Sequence, residues 1–253
     1  MRAHYVSPMV VPSLIKWLPR ISLGFAVVGA VLLPLCGLGT RFGLWDYRVG
    51  LGLLRAAGYI AAAAGVAAIV ELAIPRWRTR RTIPVLATLI IAFCVVAVPI
   101  GFQQRARAVP RIHDISTDTA DPPHFVVAAA LRKGAPNPPA YDGAEVAELQ
   151  KKAYPDIQPL ELKRPPAEAF ASARVLAQDM GWELLAADPA SGRIEATATT
   201  LWFGFKDDVV IRITPSPAGA RVDIRSKSRV GRSDLGTNAN RVREYLRRLN
   251  AAA

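Results

Sequence analysis

Three apolar runs dominate the first hundred residues: "ISLGFAVVGAVLLPLCGLG" at 21–39, "LGLLRAAGYIAAAAGVAAIVELAIP" at 51–75 and "TIPVLATLIIAFCVVAVPIGF" at 82–102. Each is close to the roughly 20 residues that a helix needs to cross a hydrocarbon layer of about 30 Å. A chain carrying three such runs is expected to place them in lipid. Trp17, Trp45, Tyr47, Trp77 and Phe102 fall at the ends of the runs, where amphipathic rings favour the headgroup layer. A cleaved signal peptide is a poor account of the first run, because no small-residue cleavage site follows it and two more runs do. A lipoprotein reading of "LPLC" at 33–36 fails on Leu35, which stands where a small residue would precede the cysteine.

Charge divides the chain in the same place. The mean hydropathy is +0.21 and the net charge +12. Residues 1–102 hold ten Lys and Arg against two acids, whereas residues 103–253 hold 22 against 18. Most of the positive excess therefore flanks the apolar runs instead of forming a surface that could release counterions from phosphates, so nucleic acid is not an expected partner. Basic residues are retained on the cytoplasmic side of a membrane. Arg2, Lys16, Arg20, Arg76, Arg78, Arg80 and Arg81 lie on one side of the runs, against Arg41, Arg48, Arg105, Arg107 and Arg111 on the other. The excess places the N-terminus inside and everything after residue 102 outside. Glu71, an acid within the second run, is close enough to the Arg76–Arg81 cluster for its carboxylate to reach the interface; a proton-relay role is the alternative.

From 106 to 165 prolines recur at 110, 122, 123, 136, 138, 139, 155, 159 and 165. Proline has no amide donor and a fixed φ, so this stretch is expected as an extended wrap with turns. Two pieces look regular: "FVVAAAL" at 125–131 as a short strand and "GAEVAELQKKAY" at 143–154 as a helix. The pattern sharpens after 166. "PPAEAFASARVLAQDMG" has prolines at its start, a stripe of Phe170, Ala173, Leu176 and Ala177, and a stop at Gly181, which predicts a helix. "WELLAAD" and "RIEATATT" flank one turn signal, and "DVVIRIT" and "ARVDIRSKSRV" flank another, giving two hairpins. The alternation puts Val209, Ile211, Ile213, Val222, Ile224, Ser226 and Ser228 on one face, with Asp223, Arg225, Lys227 and Arg229 on the other. A closing helix follows, with Leu235, Ala239, Val242, Leu246 and Leu249 on one stripe.

The expected architecture is α+β. Residues 1–105 form a transmembrane region with helices at about 21–39, 51–74 and 82–102. Residues 106–165 form the wrap, and 166–253 an α+β core with a largely antiparallel four-stranded sheet of two hairpins flanked by helices.

The segments "IHDISTDTADPPHF" (112–125), "GAPNPPAYDGAEVAELQKKAYPDIQPL" (134–160), "FGFKDDVVIRI" (203–213) and "RSKSRVGRSDLGTNANRVREYL" (225–246) resemble the bacterial proteins grouped as domain of unknown function 1499. The resemblance covers residues 110–250, and the Ser-x-Ser-Arg-Val-Gly-x-Ser-Asp-x-Gly-x-Asn signature at 226–238 is long enough to be specific. It implies an α+β domain, membrane-associated in many members, and no assigned activity. The positions it singles out are His113, Asp114, Asp207, Asp208, Arg225, Ser226, Ser228, Arg229, Gly231, Ser233, Asp234 and Asn238.

Three chemistries compete for these residues. Arg225, Ser226, Ser228, Arg229, Arg232, Ser233, Asp234 and Asn238 converge on a helix start, where amides, hydroxyls and guanidinium forks suit a phosphate or carboxylate. Their structural alternative is an internal network in which Asp234 caps the helix and pairs with Arg229 or Arg225. A hydrolase would use His113 with an acid from elsewhere in the chain, Asp207, Asp208 or Asp234; the neighbouring Asp114 and Ser116 suggest a triad only superficially, because a triad is assembled across a fold. Asp207 and Asp208 are adjacent on a strand and point to opposite faces. Cys36 and Cys94 both lie in apolar runs, so neither a disulfide nor a thiol metal site is expected in the globular part, and no cofactor motif is present.

The sequence thus describes a multi-pass protein of the bacterial cell inner membrane with a periplasmic binding or assembly domain. Its expected partners are the lipid bilayer, an anionic lipid or envelope ligand, or another membrane protein; an envelope hydrolase is the alternative. A topology reporter fused after Ala253 is expected to behave as extracytoplasmic, and one in the 76–81 loop as cytoplasmic. Cytoplasmic activity at the C-terminus would reverse the orientation.

Overall fold

The computed structural model describes residues 11–74 and 82–252. Arg2, His4, Trp77 and the Arg76, Arg78, Arg80 and Arg81 cluster lie outside the described residues, as does the Lys16 side chain. The chain forms two compact units: residues 1–103 with Trp202–Gly204, and residues 104–201 with 205–253.

The first unit contains α1 (Val11–Arg41), α2 (Tyr47–Ala73) and most of α3 (Thr82–Ala108). Over Trp17–Arg41, Tyr47–Ala73 and Thr82–Ala108 these helices are long and apolar enough to cross a membrane. Pro19, Pro34 and Pro99 lie inside them, which lipid tolerates where neighbouring groups satisfy the freed backbone. Small residues let α1 and α2 approach closely. A Cβ at Gly29 would stand 3.1 Å from the Ala57 carbonyl and 3.3 Å from the Ala61 methyl, and Ala57, Ala61, Ala64 and Ala68 are buried in a stripe along α2. Asp46 starts α2 by accepting the Arg48 amide at 2.9 Å. Glu71 is buried, and Ser22 Oγ of α1 donates to its Oε1 at 3.1 Å; the carboxyl is thus engaged between helices. Nearby, α1 and α2 line an apolar cleft of about 460 Å³ among Leu18, Ile21, Phe25, Tyr59 and Ile60.

The second unit is built on an antiparallel sheet. Its central hairpins, β3 (Glu183–Asp188) with β4 (Arg193–Thr199) and β5 (Lys206–Ser216) with β6 (Gly219–Ser228), lie where the alternation predicts. Two further strands enlarge the expected four to six. β1 (Asp114–Ser116) and β2 (Leu160–Leu162) both pair with β6, end to end along one edge, so the sheet runs β1-β6-β5-β4-β3 with β2 beside β6. Both come from the proline-rich wrap. Their three-residue length leaves no period to read, which is why the sequence does not announce them.

One face of the sheet carries Ile194, Ala196, Val209, Ile211, Val222 and Ile224 against α6 (Pro166–Asp179) and α7 (Thr237–Ala251). Phe170, Ala173 and Ala177 supply the α6 side of this core; Ala239, Val242, Tyr245 and Leu249 supply the α7 side. Trp182 stacks on Tyr245 with ring centroids 5.2 Å apart, and the Tyr245 hydroxyl donates to the Ala173 carbonyl at 2.8 Å. Leu235 precedes α7 with φ of 55°, so the helical stripe begins at Ala239.

The opposite face is buried too, beneath the wrap. Segment 125–131 is not a strand: Val127–Leu131 form the short helix α4. A helix of five residues does not persist alone. Here Glu195, fully buried on β4, accepts the amides of Val126, Val127 and Ala128 at 2.8–3.2 Å, so a carboxylate from the sheet fills the helix start. At the other end Arg132 turns inward and is fully buried. α5 (Ala144–Ala153) forms as predicted, and its Gln150 brackets β1, accepting the Ser116 amide at 2.9 Å and donating to the Ser116 carbonyl at 2.6 Å.

Hydrogen bonds to a charged group contribute about 1.5–3 kcal/mol. Glu195→Ala should therefore raise amide exchange at Val126–Ala128 by about tenfold or more, while the β5–β6 amides stay protected. Hydrogen–deuterium exchange on the full-length chain reads both.

Candidate functional site

β6 places alternate side chains on the two faces of the sheet, and the residues singled out in the sequence separate accordingly. On the wrap side stand Asp223, Arg225, Lys227 and Arg229, joined across the ladder by Asp208 from β5 and Asp114 from β1. Arg225 and Asp114 are both fully buried and form a two-pronged pair, Nε to Oδ1 at 2.8 Å and Nη2 to Oδ2 at 2.9 Å. The remaining Arg225 donors reach the carbonyls of Pro123 at 3.2 Å and Pro139 at 3.0 Å. Its guanidinium lies 4.8 Å from the Phe125 ring centroid and 5.3 Å from that of Tyr141. Burial, reinforced by Asp114 and opposed by Arg225, pushes the Tyr141 phenol up to about 12.

Lys227 donates to Asp142 Oδ1 at 2.5 Å and to the Ala140 carbonyl at 2.6 Å, and lies 3.2 Å from Asp114 Oδ2. An ammonium has three donors, and these three acceptors satisfy it. His113 completes the group, its Nε2 3.2 Å from Asp142 Oδ2. The acid beside His113 is thus Asp142, contributed by the wrap.

One register further, Asp208 is held by two arginines. Arg132 Nε approaches at 2.7 Å and Arg229 Nη2 at 2.7 Å, while the Thr197 hydroxyl donates at 2.8 Å. Arg132 also donates to the carbonyls of Lys227, Ser228 and Asn137. Loss of solvent draws its pKa down and Asp208 opposes the change. The expected pairing of Arg229 with Asp234 is therefore corrected: the partner is Asp208 on the neighbouring strand β5, where the Lys206 carbonyl accepts the Arg229 amide, and the Asp234 carboxylate is taken up by the amides of Gly236 and Asn238.

On the helix side, Ser226 Oγ donates to Asn238 Oδ1 at 2.7 Å, and Asn238 Nδ2 donates to Ser228 Oγ and to the His113 carbonyl, each at 3.0 Å. Arg241 Nη1 reaches Ser226 Oγ at 3.0 Å and its Nη2 reaches Asp207 at 2.6 Å. Asp207 and Asp208 thus point to opposite faces, each on an arginine. Asp234 accepts the amides of Gly236 at 2.8 Å and Asn238 at 2.7 Å, which fixes the entry to α7. Burial pushes its carboxyl up, against those two bonds. Ser233 Oγ accepts the Leu235 amide at 3.3 Å. Arg232 is exposed and has no side-chain ion pair among the described residues.

Apart from the exposed Arg232 and the turn residue Ser233, the candidate residues therefore occupy internal networks, on both faces of the sheet. Among the described residues no cluster of His, Cys, Asp and Glu could hold a metal ion. Sequence reasoning missed Arg132, Tyr141, Asp142, Glu195 and Lys227 as participants. Tyr141 and Asp142 stood within a segment already quoted for its resemblance, but nothing local marks a residue whose partner is 85 positions away.

Residues 114–249 match the family model described as protein of unknown function (DUF1499). The chain belongs to that family. No curated protein matches it. In this DUF1499 member the family segment begins at Asp114 and ends at Leu249, so the Arg225–Asp114 pair falls inside it, while His113, whose carbonyl accepts from Asn238, stands one residue before it.

Removing one partner of a buried ion pair leaves a charge without compensation, at a cost of about 3–5 kcal/mol. Arg225→Met and Asp114→Leu should each lower the thermal stability of the full-length protein by that order. The double variant should lose clearly less than their sum. Near-ultraviolet circular dichroism of the detergent-solubilised chain follows the unfolding.

Proposed function

We propose that this protein is an inner-membrane protein whose periplasmic domain works as an assembly module, engaging another protein through the outward face of α4. The orientation rests on the excess of basic residues around the N-terminal segment and the 76–81 loop. The observation that carries the assembly reading is the treatment of α4. Buried charges grip a helix of five residues at both ends, Glu195 at its first amides and Arg132 against Asp208 after its last turn. Its outward positions are nevertheless apolar: Val127 is 40% and Leu131 49% exposed, one helical turn apart, with Val126 beside them. An exposed apolar face on a short helix that buried charges hold at both ends supports a protein contact.

The competing chemistries find less support. An anionic ligand would need cations free to meet it, and Arg225 and Arg229 are neutralised by Asp114 and Asp208. A hydrolase would need His113 beside a nucleophile, whereas its side chain meets Asp142.

Photo-cross-linking residues placed at Val127 or Leu131 in native membranes should give one discrete protein adduct, and the same probe at Leu149 on α5 should not. Leu131→Glu should remove the adduct from position 127 while leaving thermal stability unchanged. Equal labelling at all three positions, or none, would defeat the assembly reading.

A further inference from the structure

α3 continues past its apolar run. The run closes at Phe102, and the helix goes on through Gln103-Gln104-Arg105-Ala106-Arg107-Ala108 before Pro110, which has no amide to extend it. At 1.5 Å per residue, Arg105 stands about 4.5 Å and Arg107 about 7.5 Å beyond Phe102 along the axis. Arg111 follows three residues after Ala108, which keeps it within about 11 Å of the helix end. From Gln104 onward these residues belong to the second unit. Within that unit Arg105 Nε donates to the Leu235 carbonyl at 3.0 Å, and the Ile112 carbonyl accepts the Asp234 amide at 3.3 Å. The turn that enters α7 is thus laid along this segment, and Arg232 precedes Leu235 by three residues in it. All four arginines are exposed, and among the described residues none of them meets a carboxylate. The acid of that turn is already engaged, Asp234 by the amides of Gly236 and Asn238. The sheet matches its buried cations with aspartates; these four are left without one.

We infer that Arg105, Arg107, Arg111 and Arg232 form a site for the phosphate groups of anionic phospholipids. The headgroup region adds roughly 5–8 Å to each side of the hydrocarbon layer, and the rise of α3 alone brings Arg105 and Arg107 into it. A guanidinium fork meets two oxygens of a phosphate at once, and cations that directly follow a span are drawn to anionic headgroups. Arg105 has the further part of joining the two pieces of chain: its Nε holds the Leu235 carbonyl, and both Nη groups are left for phosphate. Soluble phosphate is the other source of the same chemistry, but two of the four arginines are carried by the spanning helix itself, so lipid is the phosphate that position supplies. The inference rests on the reading of α3 as a membrane span and is independent of the contact proposed for α4.

The test uses the full chain in phosphatidylcholine vesicles, with Cys36→Ala and Cys94→Ala as background. Bimane is attached in turn at Ala106→Cys, among the arginines, and at Phe93→Cys, 75% exposed in the middle of α3. Quenching is compared between spin-labelled phosphatidylglycerol and spin-labelled phosphatidylcholine, with the nitroxide near the headgroup for position 106 and at mid-chain for position 93. Phosphatidylglycerol should quench position 106 about threefold or more over phosphatidylcholine. Arg107→Gln with Arg111→Gln and Arg232→Gln should abolish that excess. Lys133→Gln with Lys152→Gln and Lys163→Gln, which remove three exposed cations elsewhere in the second unit, should preserve it, as should sodium phosphate in place of chloride at equal ionic strength. Equal quenching of position 106 by the two lipids, with position 93 quenched, would overturn the inference and leave the span intact. Loss of the excess in the lysine variant would assign it to net charge, and its loss in phosphate would assign the arginines to a soluble anion; either result overturns the lipid site. Absence of quenching at position 93 by either lipid would sink the span reading itself.

Discussion

A proline-rich segment has more acceptors than donors, and the second unit is organised around that imbalance. Each proline contributes a carbonyl and no amide, so outside the short elements β1, β2, α4 and α5 the wrap has carbonyls that its own amides do not meet. Arginine and lysine have the complementary property of being donors only. Arg225 supplies Pro123 and Pro139, Lys227 supplies Ala140, and Arg132 supplies Asn137. These cations are buried by the wrap they satisfy, and a buried cation needs a carboxylate. Asp114, Asp142 and Asp208 fill that need. The ionic face of the sheet is thus a consequence of what covers it.

The same logic explains why the unit holds a charged layer where most sheets would hold apolar residues. Replacing such a pair with hydrocarbon often costs nothing in stability, but hydrocarbon would leave the wrap's carbonyls without partners. Charge also fixes register. The Arg225–Asp114 fork is planar and two-pronged, so β1 cannot slide along β6 without breaking it. Gln150 holds Ser116 on the same short strand from the other side. A strand of three residues is positioned here by its side-chain contacts more than by its ladder.

Neutralisation has a functional side. Arg225 is met by Asp114, and Arg132 and Arg229 share Asp208, so the charges of this network are compensated inside the domain, while Val127 and Leu131 of α4 are exposed. α4 has too few residues to form alone, yet Glu195 and Arg132 give it a fixed place on the sheet. The helical unit shows the apolar counterpart of this economy: glycines at 29, 37 and 50 remove side chains so that α1, α2 and the Trp202–Gly204 tripeptide can come together.

Much of this was legible in the chain itself. The three helices, α5, α6, α7 and both hairpins follow from period and from turn residues, because the hydrophobic stripe of a helix or strand is a local record of which side faces the core. The division of β6 into Ser226 and Ser228 on one face and Arg225, Lys227 and Arg229 on the other follows from the same alternation. Partner choice did not. Arg229 pairs with Asp208 and not with Asp234, and Arg225 with Asp114, since a guanidinium reads the same in sequence whichever carboxylate it meets; the acid nearest His113 is Asp142. The helical state of 127–131 was likewise hidden, as Val-Ala-Ala-Ala-Leu suits either conformation and Glu195, 67 residues away, decides between them. Periodicity is written locally and survives in one dimension; charge pairing and the capping of a short helix are properties of neighbours that only the folded chain brings together.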